Sequence, residues 1–184
     1  APASLFRAFS MCVERARSHH FPFALGENFV FEHFSEFDTF VDSCATMREI
    51  LELAGWAREV IAPWMSLRLD EFGAEAHLRV VVSVPGQDPS ELRHVREVVM
   101  AAIYQVLRRA ARNAHVLLSV RMAGPPPAEP QKYSDHFGVP VTFNEDADAL
   151  VMDRRWLDQP LNAPLQHAQS EARLRVERRL SQEG

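Results

Sequence analysis

Between residues 65 and 84 the apolar period of the chain becomes two, and this limits the fold more than any other stretch. Met65, Leu67 and Leu69 alternate with Ser66, Arg68 and Asp70; beyond Phe72-Gly73, Ala76, Leu78, Val80, Val82 and Val84 alternate with His77, Arg79 and Ser83. Alternation of this kind puts one apolar face on each strand. A two-residue turn centred on Phe72-Gly73 pairs Leu69 with Ala76, Leu67 with Leu78, Arg68 with His77 and Ser66 with Arg79. Both strands then agree on the apolar face. The same register sets Asp70 against Glu75, a like-charge pair that costs stability unless it is solvated.

A hairpin with one apolar face needs cover, and helical periods flank it on both sides. Upstream, Leu5, Phe9, Cys12, Val13 and Ala16 predict a helix from about Ser4 to Ser18. An aromatic-rich connection follows from Phe21 to Phe40, in which Pro22 and Gly26 are expected to break any long helix. Aromatics at such mixed spacing read as core. Thr46 and Glu49 form a capping-box pattern ahead of a stripe of Ile50, Leu53, Ala54, Ala57 and Ile61, closed by Pro63.

Downstream, Asp88-Pro89-Ser90-Glu91 predicts the start of the longest helix, with Asp88 as cap and Pro89 as first helical residue. Leu92, Val95, Val99, Ala102, Ile103, Val106 and Ala110 line its inner face, and Arg108, Arg109 and Arg112 suit its negative end. A third strand over His115–Met122 leads into a stiff Pro-rich spacer, Ala123–Pro130, and a short helix, Tyr133–Phe137, stopped by Gly138. Val139–Phe143 and Ala149–Met152 read as a second hairpin around Asn144-Glu145-Asp146. Leu165–Leu180 reads as a last helix. The expected class is α+β: a mostly antiparallel sheet of about five strands packed against helices, with an N-terminal helical portion and a C-terminal helix.

Composition narrows the function. With 47% hydrophobic and 24% charged residues, the chain can bury a core and is not a disordered segment. Its net charge of −5 makes it a poor partner for nucleic acid by itself. Runs such as Val80-Val81-Val82 fall far short of the ~20 apolar residues of a membrane helix. Cys12 and Cys44 suit neither a disulfide framework nor a metal knuckle, so a reducing, cytoplasmic setting is expected. No signal-peptide pattern opens the chain, and its start at Ala1 rather than Met suggests that residues precede it.

Catalytic motifs fail in turn: the sequence has no G-x-S-x-G, P-loop, G-x-G-x-x-G, H-E-x-x-H or Cys/His zinc spacing. No enzyme, cofactor or metal is expected. The nearest metal-like group is His19, His20, Glu27, Glu32, His33 and Glu36, which reads instead as the wet side of an amphipathic stretch. Asp146 and Asp148 lie in or beside a turn, where Asp is favoured for backbone reasons.

The second sheet face holds more interest. Arg68, His77, Arg79, Ser119 and Arg121 all take polar positions of period-two strands. If the three strands are neighbours, the guanidinium groups converge, and such forks bind carboxylates or phosphates. An anionic effector site on Arg68, His77, Arg79 and Arg121 is one reading. The other is a solvated face whose arginines pair with Asp70 or Glu75.

In the last third, Tyr133-Ser134-Asp135-His136-Phe137-Gly138-Val139-Pro140-Val141-Thr142-Phe143, Asp148-Ala149-Leu150-Val151-Met152 and Leu157-Asp158-Gln159-Pro160-Leu161 form a recognisable series. It resembles the regulatory domain of AraC/XylS-type transcription activators. The branch is the one whose N-terminal half is called arabinose-binding-like, as in the ornithine-utilisation regulators. Asp148 stands where that branch usually has Asn, and Val139 where Cys is common. Ala45-Thr46-Met47-Arg48-Glu49-Ile50-Leu51 is similar to the family's helix ahead of its first hairpin, more loosely.

The resemblance implies a bacterial regulator that binds a small effector and, through a C-terminal domain of two helix-turn-helix motifs, DNA. The sequence after Leu161 has no room for that domain. Residues 1–162 are therefore expected to be the sensing domain, 1–62 its helical portion and 63–162 its α+β portion. Residues 163–184 would be a helix leading to the absent half. Leu165, Ala168, Ala172, Val176 and Leu180 make a narrow apolar stripe on that helix. A stripe so narrow suits a homodimer seam, or else packs back on its own domain. A domain acting only through protein–protein contact, without a small ligand, is the alternative function.

Overall fold

A computed structural model describes residues 20–33, 41, 43–52, 64–112 and 114–161. The predicted first and last helices, and the expected divisions near residues 62 and 162, lie outside these. The described elements are α1 (Phe21–His33), β1 (Met65–Phe72), β2 (Glu75–Val82), α2 (Arg93–Ala110), β3 (Leu117–Ala123), α3 (Gln131–Phe137), β4 (Val141–Glu145), β5 (Asp148–Asp153) and α4 (Arg155–Asp158). A short helical turn also covers residues 47–52. The fold is α+β, as expected, built on one five-stranded sheet of order β1-β2-β5-β3-β4. Every pairing is antiparallel except β3 with β4.

The first hairpin forms, but in another register. Leu69 faces Leu78, Leu67 faces Val80, and Arg68 faces Arg79. The two turn residues are Gly73 and Ala74, one step later than expected. Gly73 has φ +60°, and Ala74 is not among the positive-φ residues. Glycine thus takes the first central position of a II′-like turn, where positive φ costs it nothing. The two-residue shift keeps the apolar face intact and removes the Asp70–Glu75 clash, because Asp70 now faces His77.

The second hairpin does not exist. β4 lies at the sheet edge, parallel to β3, while β5 crosses to the other side of β3 and inserts beside β2. Burial explains the exchange. Asp148 through Met152 are all buried, whereas β4 exposes alternate residues, so the more apolar strand takes the centre. The crossing is tied at the end of β3: the Ala123 N–H donates to Asp148 Oδ1 at 2.8 Å, and the Asn144 N–H donates to the Gly124 carbonyl at 2.7 Å.

Of the two expected helix starts, one forms as read and one does not. The Thr46–Glu49 box forms, with the Glu49 N–H donating to Thr46 Oγ1 (3.2 Å) and the Ala45 N–H to Glu49 Oε2 (2.7 Å). α2 instead begins at Arg93, capped by Leu92 with no side-chain bond. Asp88 accepts from the Ser90 N–H and hydroxyl at 2.8 and 2.6 Å, so it organises the turn ahead of the helix. α1 runs straight through Pro22 and Gly26, contrary to expectation. Pro22 sits in the first turn, where its missing N–H has no intrahelical partner to lose. Gly26 is a close-approach residue: a Cβ there would lie 2.3 Å from the Val98 carbonyl oxygen. α1 therefore packs backbone to backbone on α2, and α2 covers one sheet face. Phe23, Met100, Leu107, Leu78, Val120, Leu150, Tyr133 and Phe137 belong to the resulting core.

Candidate functional site

Cross-strand register defines one row on the sheet face away from the main core: Arg68, Arg79, Ala149, Arg121 and Thr142. The next row is Asp70, His77, Val151 and Ser119. All the polar-face residues picked from the sequence thus share a face. They are not on three adjacent strands, however, because β5 stands between β2 and β3. Arg79 and Arg121 flank Ala149 from opposite sides, two strand spacings or roughly 10 Å apart.

The charges on this face are unequally satisfied. Asp70 pairs with Arg68 (Nε to Oδ1, 2.7 Å) and with Arg79 (Nε to Oδ2, 3.2 Å), while the His77 Nε2–H donates to Glu75 Oε2 at 2.9 Å. Arg68 is far exposed at 77% of its side chain, and Arg79 about half as much. Arg121 is half-buried and forms no ion pair among the described residues. His77 is buried, its ring against Phe72 with centroids 5.0 Å apart. Ala149 and Val151 are buried as well, so this face is solvated at its flanks rather than throughout. An anion reaching it meets guanidinium groups beside a closed central strand.

A second polar constellation, absent from the sequence reading, lies inside the helical layer. Glu97 of α2 is fully buried yet accepts from His20 Nε2 (2.9 Å), His94 Nδ1 (3.0 Å), Arg93 Nε (3.3 Å) and the Tyr133 hydroxyl. Burial by itself would raise this carboxyl, but the bonds from His20, His94 and Tyr133 outweigh it and hold the group down at about 2. Burial and the Glu97 charge together push the Tyr133 hydroxyl up. His136 stacks on Phe23 at 4.2 Å and lies near Tyr104 and Phe137; burial first, then the charges of His20 and Arg108, lower it to about 4. Arg93–Glu97 reads in sequence as an ordinary i,i+4 surface pair. Only the packing of α1 and α3 onto α2 turns it into a buried hub.

His20 and Glu27 of the metal-like group go separate ways, the first to Glu97 and the second to within 3.7 Å of His136. His19, Glu36 and the side chains of Glu32 and His33 lie outside the described residues. No three His, Cys, Asp or Glu residues among the described ones are placed to hold a metal. Among the described residues, too, no helix is long and apolar enough to cross a membrane. The stripe Leu165, Ala168, Ala172, Val176 and Leu180 lies outside them.

Residues 2–161 match the model of the arabinose-binding domain of AraC transcription regulators, N-terminal part. The chain belongs to this family. The Tyr133–Leu161 series and the 45–51 segment lie within that match. The fold agrees with the crystal structure of the transcriptional regulator CdpR from Pseudomonas aeruginosa, with a TM-score of 0.67 at 17% identity. That superposition covers 83% of this chain and 49% of CdpR, so the chain spans about half the length of that regulator. Comparison with curated proteins returns no significant match.

Proposed function

We propose that this arabinose-binding-type domain senses a small anionic effector on the arginine-bearing sheet face and passes the signal to a helix-turn-helix DNA-binding domain. On this reading DNA is reached only through that domain, the regulator works in the cytoplasm as a homodimer, and no catalytic step is involved. The observation that carries the effector reading is the row Arg79–Ala149–Arg121, in which two arginines flank one small residue on a face turned away from the core. Arg121 adds a charge with no carboxylate of its own among the described residues. Arg79 shares Asp70 with Arg68, so an incoming anion competes with a single, doubly engaged carboxylate.

Thermal unfolding in the presence of small carboxylates, phosphate esters and neutral sugars tests this, because a ligand of the native state raises the midpoint. An acidic compound is expected to stabilise the wild type and to lose its effect in the Arg79→Gln/Arg121→Gln variant, which keeps hydrogen-bonding length but not charge. Unchanged affinity in that variant would move the site elsewhere. Stabilisation by no small molecule would favour the protein-contact alternative.

A further inference from the structure

The face that carries Arg68 and Arg79 belongs to a hairpin whose tip is joined to the place where the chain leaves the sheet. Arg48, in the helical turn 47–52, donates from Nε and Nη2 to Asp158 Oδ1 and Oδ2 at 2.7 and 2.9 Å. Its Nη1 donates to Glu71 Oε1 of β1 at 2.6 Å, and Glu71 Oε2 accepts from Arg154 Nε. The result is an alternating ladder, Asp158–Arg48–Glu71–Arg154. Backbone bonds run beside it: the Arg154 N–H donates to the Ala74 carbonyl in the hairpin turn (2.9 Å), and the Leu161 N–H to the Ala45 carbonyl (2.9 Å). Thr46 and Pro160 form an isolated bridge, and Leu157 is fully buried between these ties.

We propose that this ladder is a latch that couples the charge state of the β1–β2 hairpin to the segment Arg154–Leu161 that follows β5. The proposal rests on the sensing-face reading for its purpose, though not for its test. Asp70, the carboxylate shared by Arg68 and Arg79, immediately precedes Glu71 on β1, and adjacent strand residues point to opposite faces. A shift of β1 that releases Asp70 on one face therefore moves Glu71 against Arg48 on the other. The chemistry of the joint suits a reversible device. An apolar seam would hold the exit permanently, whereas partly exposed ion pairs are individually weak and easily exchanged. The bidentate fork of Arg48 supplies the direction that a point charge would lack.

Amide hydrogen exchange in the 184-residue chain tests the latch, read at Leu161 and Arg154, with Met100 in the middle of α2 as the reference for global opening. Asp70→Asn frees Arg68 and Arg79 without any added ligand. It is expected to speed exchange at Leu161 on the order of fivefold in the wild-type background and to add almost nothing in Arg48→Gln. An equal effect in both backgrounds, or none in either, overturns the latch. So does an Arg48→Gln chain in which Met100 exchanges faster by the same factor as Leu161, since Arg48 would then be a general stability residue. Inorganic phosphate, titrated at constant ionic strength, gives a separate reading: no response at the amides of Arg79 and Arg121 counts against the sensing face, while the Asp70–Arg48 cycle still decides the latch.

Discussion

Glu97 accepts hydrogen bonds from four different side chains, all while fully buried. A carboxylate taken wholly out of water is costly unless paired and hydrogen-bonded, and here donors from α2, from α3 and from His20 just ahead of α1 converge on it. Glu97→Gln keeps the shape but turns an acceptor toward donors into an amide that also donates. Urea unfolding is expected to show a loss of about 2–4 kcal/mol. Acid has a signed effect of its own. His136 titrates at about 4 in the fold against an ordinary 6.5, so the unfolded chain takes up the proton first and stability falls as pH drops from about 6.5 to about 4. Glu97, lowered from 4.5 to about 2, contributes stability that is complete above about 4.5 and is lost as pH falls through 2. His136→Phe, which retains a ring against Phe23, should flatten the upper part of that slope and leave the lower part. A slope unchanged in His136→Phe would place the upper transition on another group.

At the scale of elements, the crossing of α1 over α2 depends on a single missing side chain. A Cβ on Gly26 would meet the Val98 carbonyl oxygen at 2.3 Å and the Ala101 Cβ at 2.7 Å, and the carbonyl cannot rotate out of the way. Gly26→Ala gains about 1 kcal/mol of helix propensity. The forced separation of the helices should outweigh this, for a net loss of about 1–3 kcal/mol in thermal or denaturant unfolding. A Gly26→Ala protein more stable than wild type would show that the helices separate at little cost. The same position shows how a correct rule can mislead. Glycine does weaken an isolated helix, yet here tertiary contact selects it. β5 teaches a related lesson, for its two-residue link to β4 looks like a hairpin turn, but its apolar residues on both faces claim the sheet centre.

For the molecule as a whole, the seam Leu165, Ala168, Ala172, Val176 and Leu180 carries the expectation of a dimer. Light scattering after chromatography should give a dimeric wild type, a folded monomer for Val176→Arg, and little change for Leu174→Ala, which is off the stripe. A monomeric wild type at high concentration, or a misfolded Val176→Arg, would instead assign the stripe to packing within one chain. The family match ends at residue 161, ahead of this stripe, and the superposition on CdpR covers 49% of that regulator.

The α+β class, the apolar faces of β1 and β2, the Thr46–Glu49 box, the stop at Gly138 and the family were all legible in the sequence. Each depends on neighbours within a few residues or on a motif read directly. The strand order, the hairpin register, the unbroken α1 and the Glu97 hub were decided by the tertiary structure. The reason is physical: period-two alternation states which face is apolar but is unchanged by a two-residue slip, and the continuous apolar run Ala149–Met152 marks a strand covered on both faces without saying which strands flank it. Likewise an Arg93–Glu97 pair has the same spacing on a wet helix as on a buried one. Arg79 and Arg121 could be assigned to one face from alternation alone, but only the insertion of β5 set Ala149 between them.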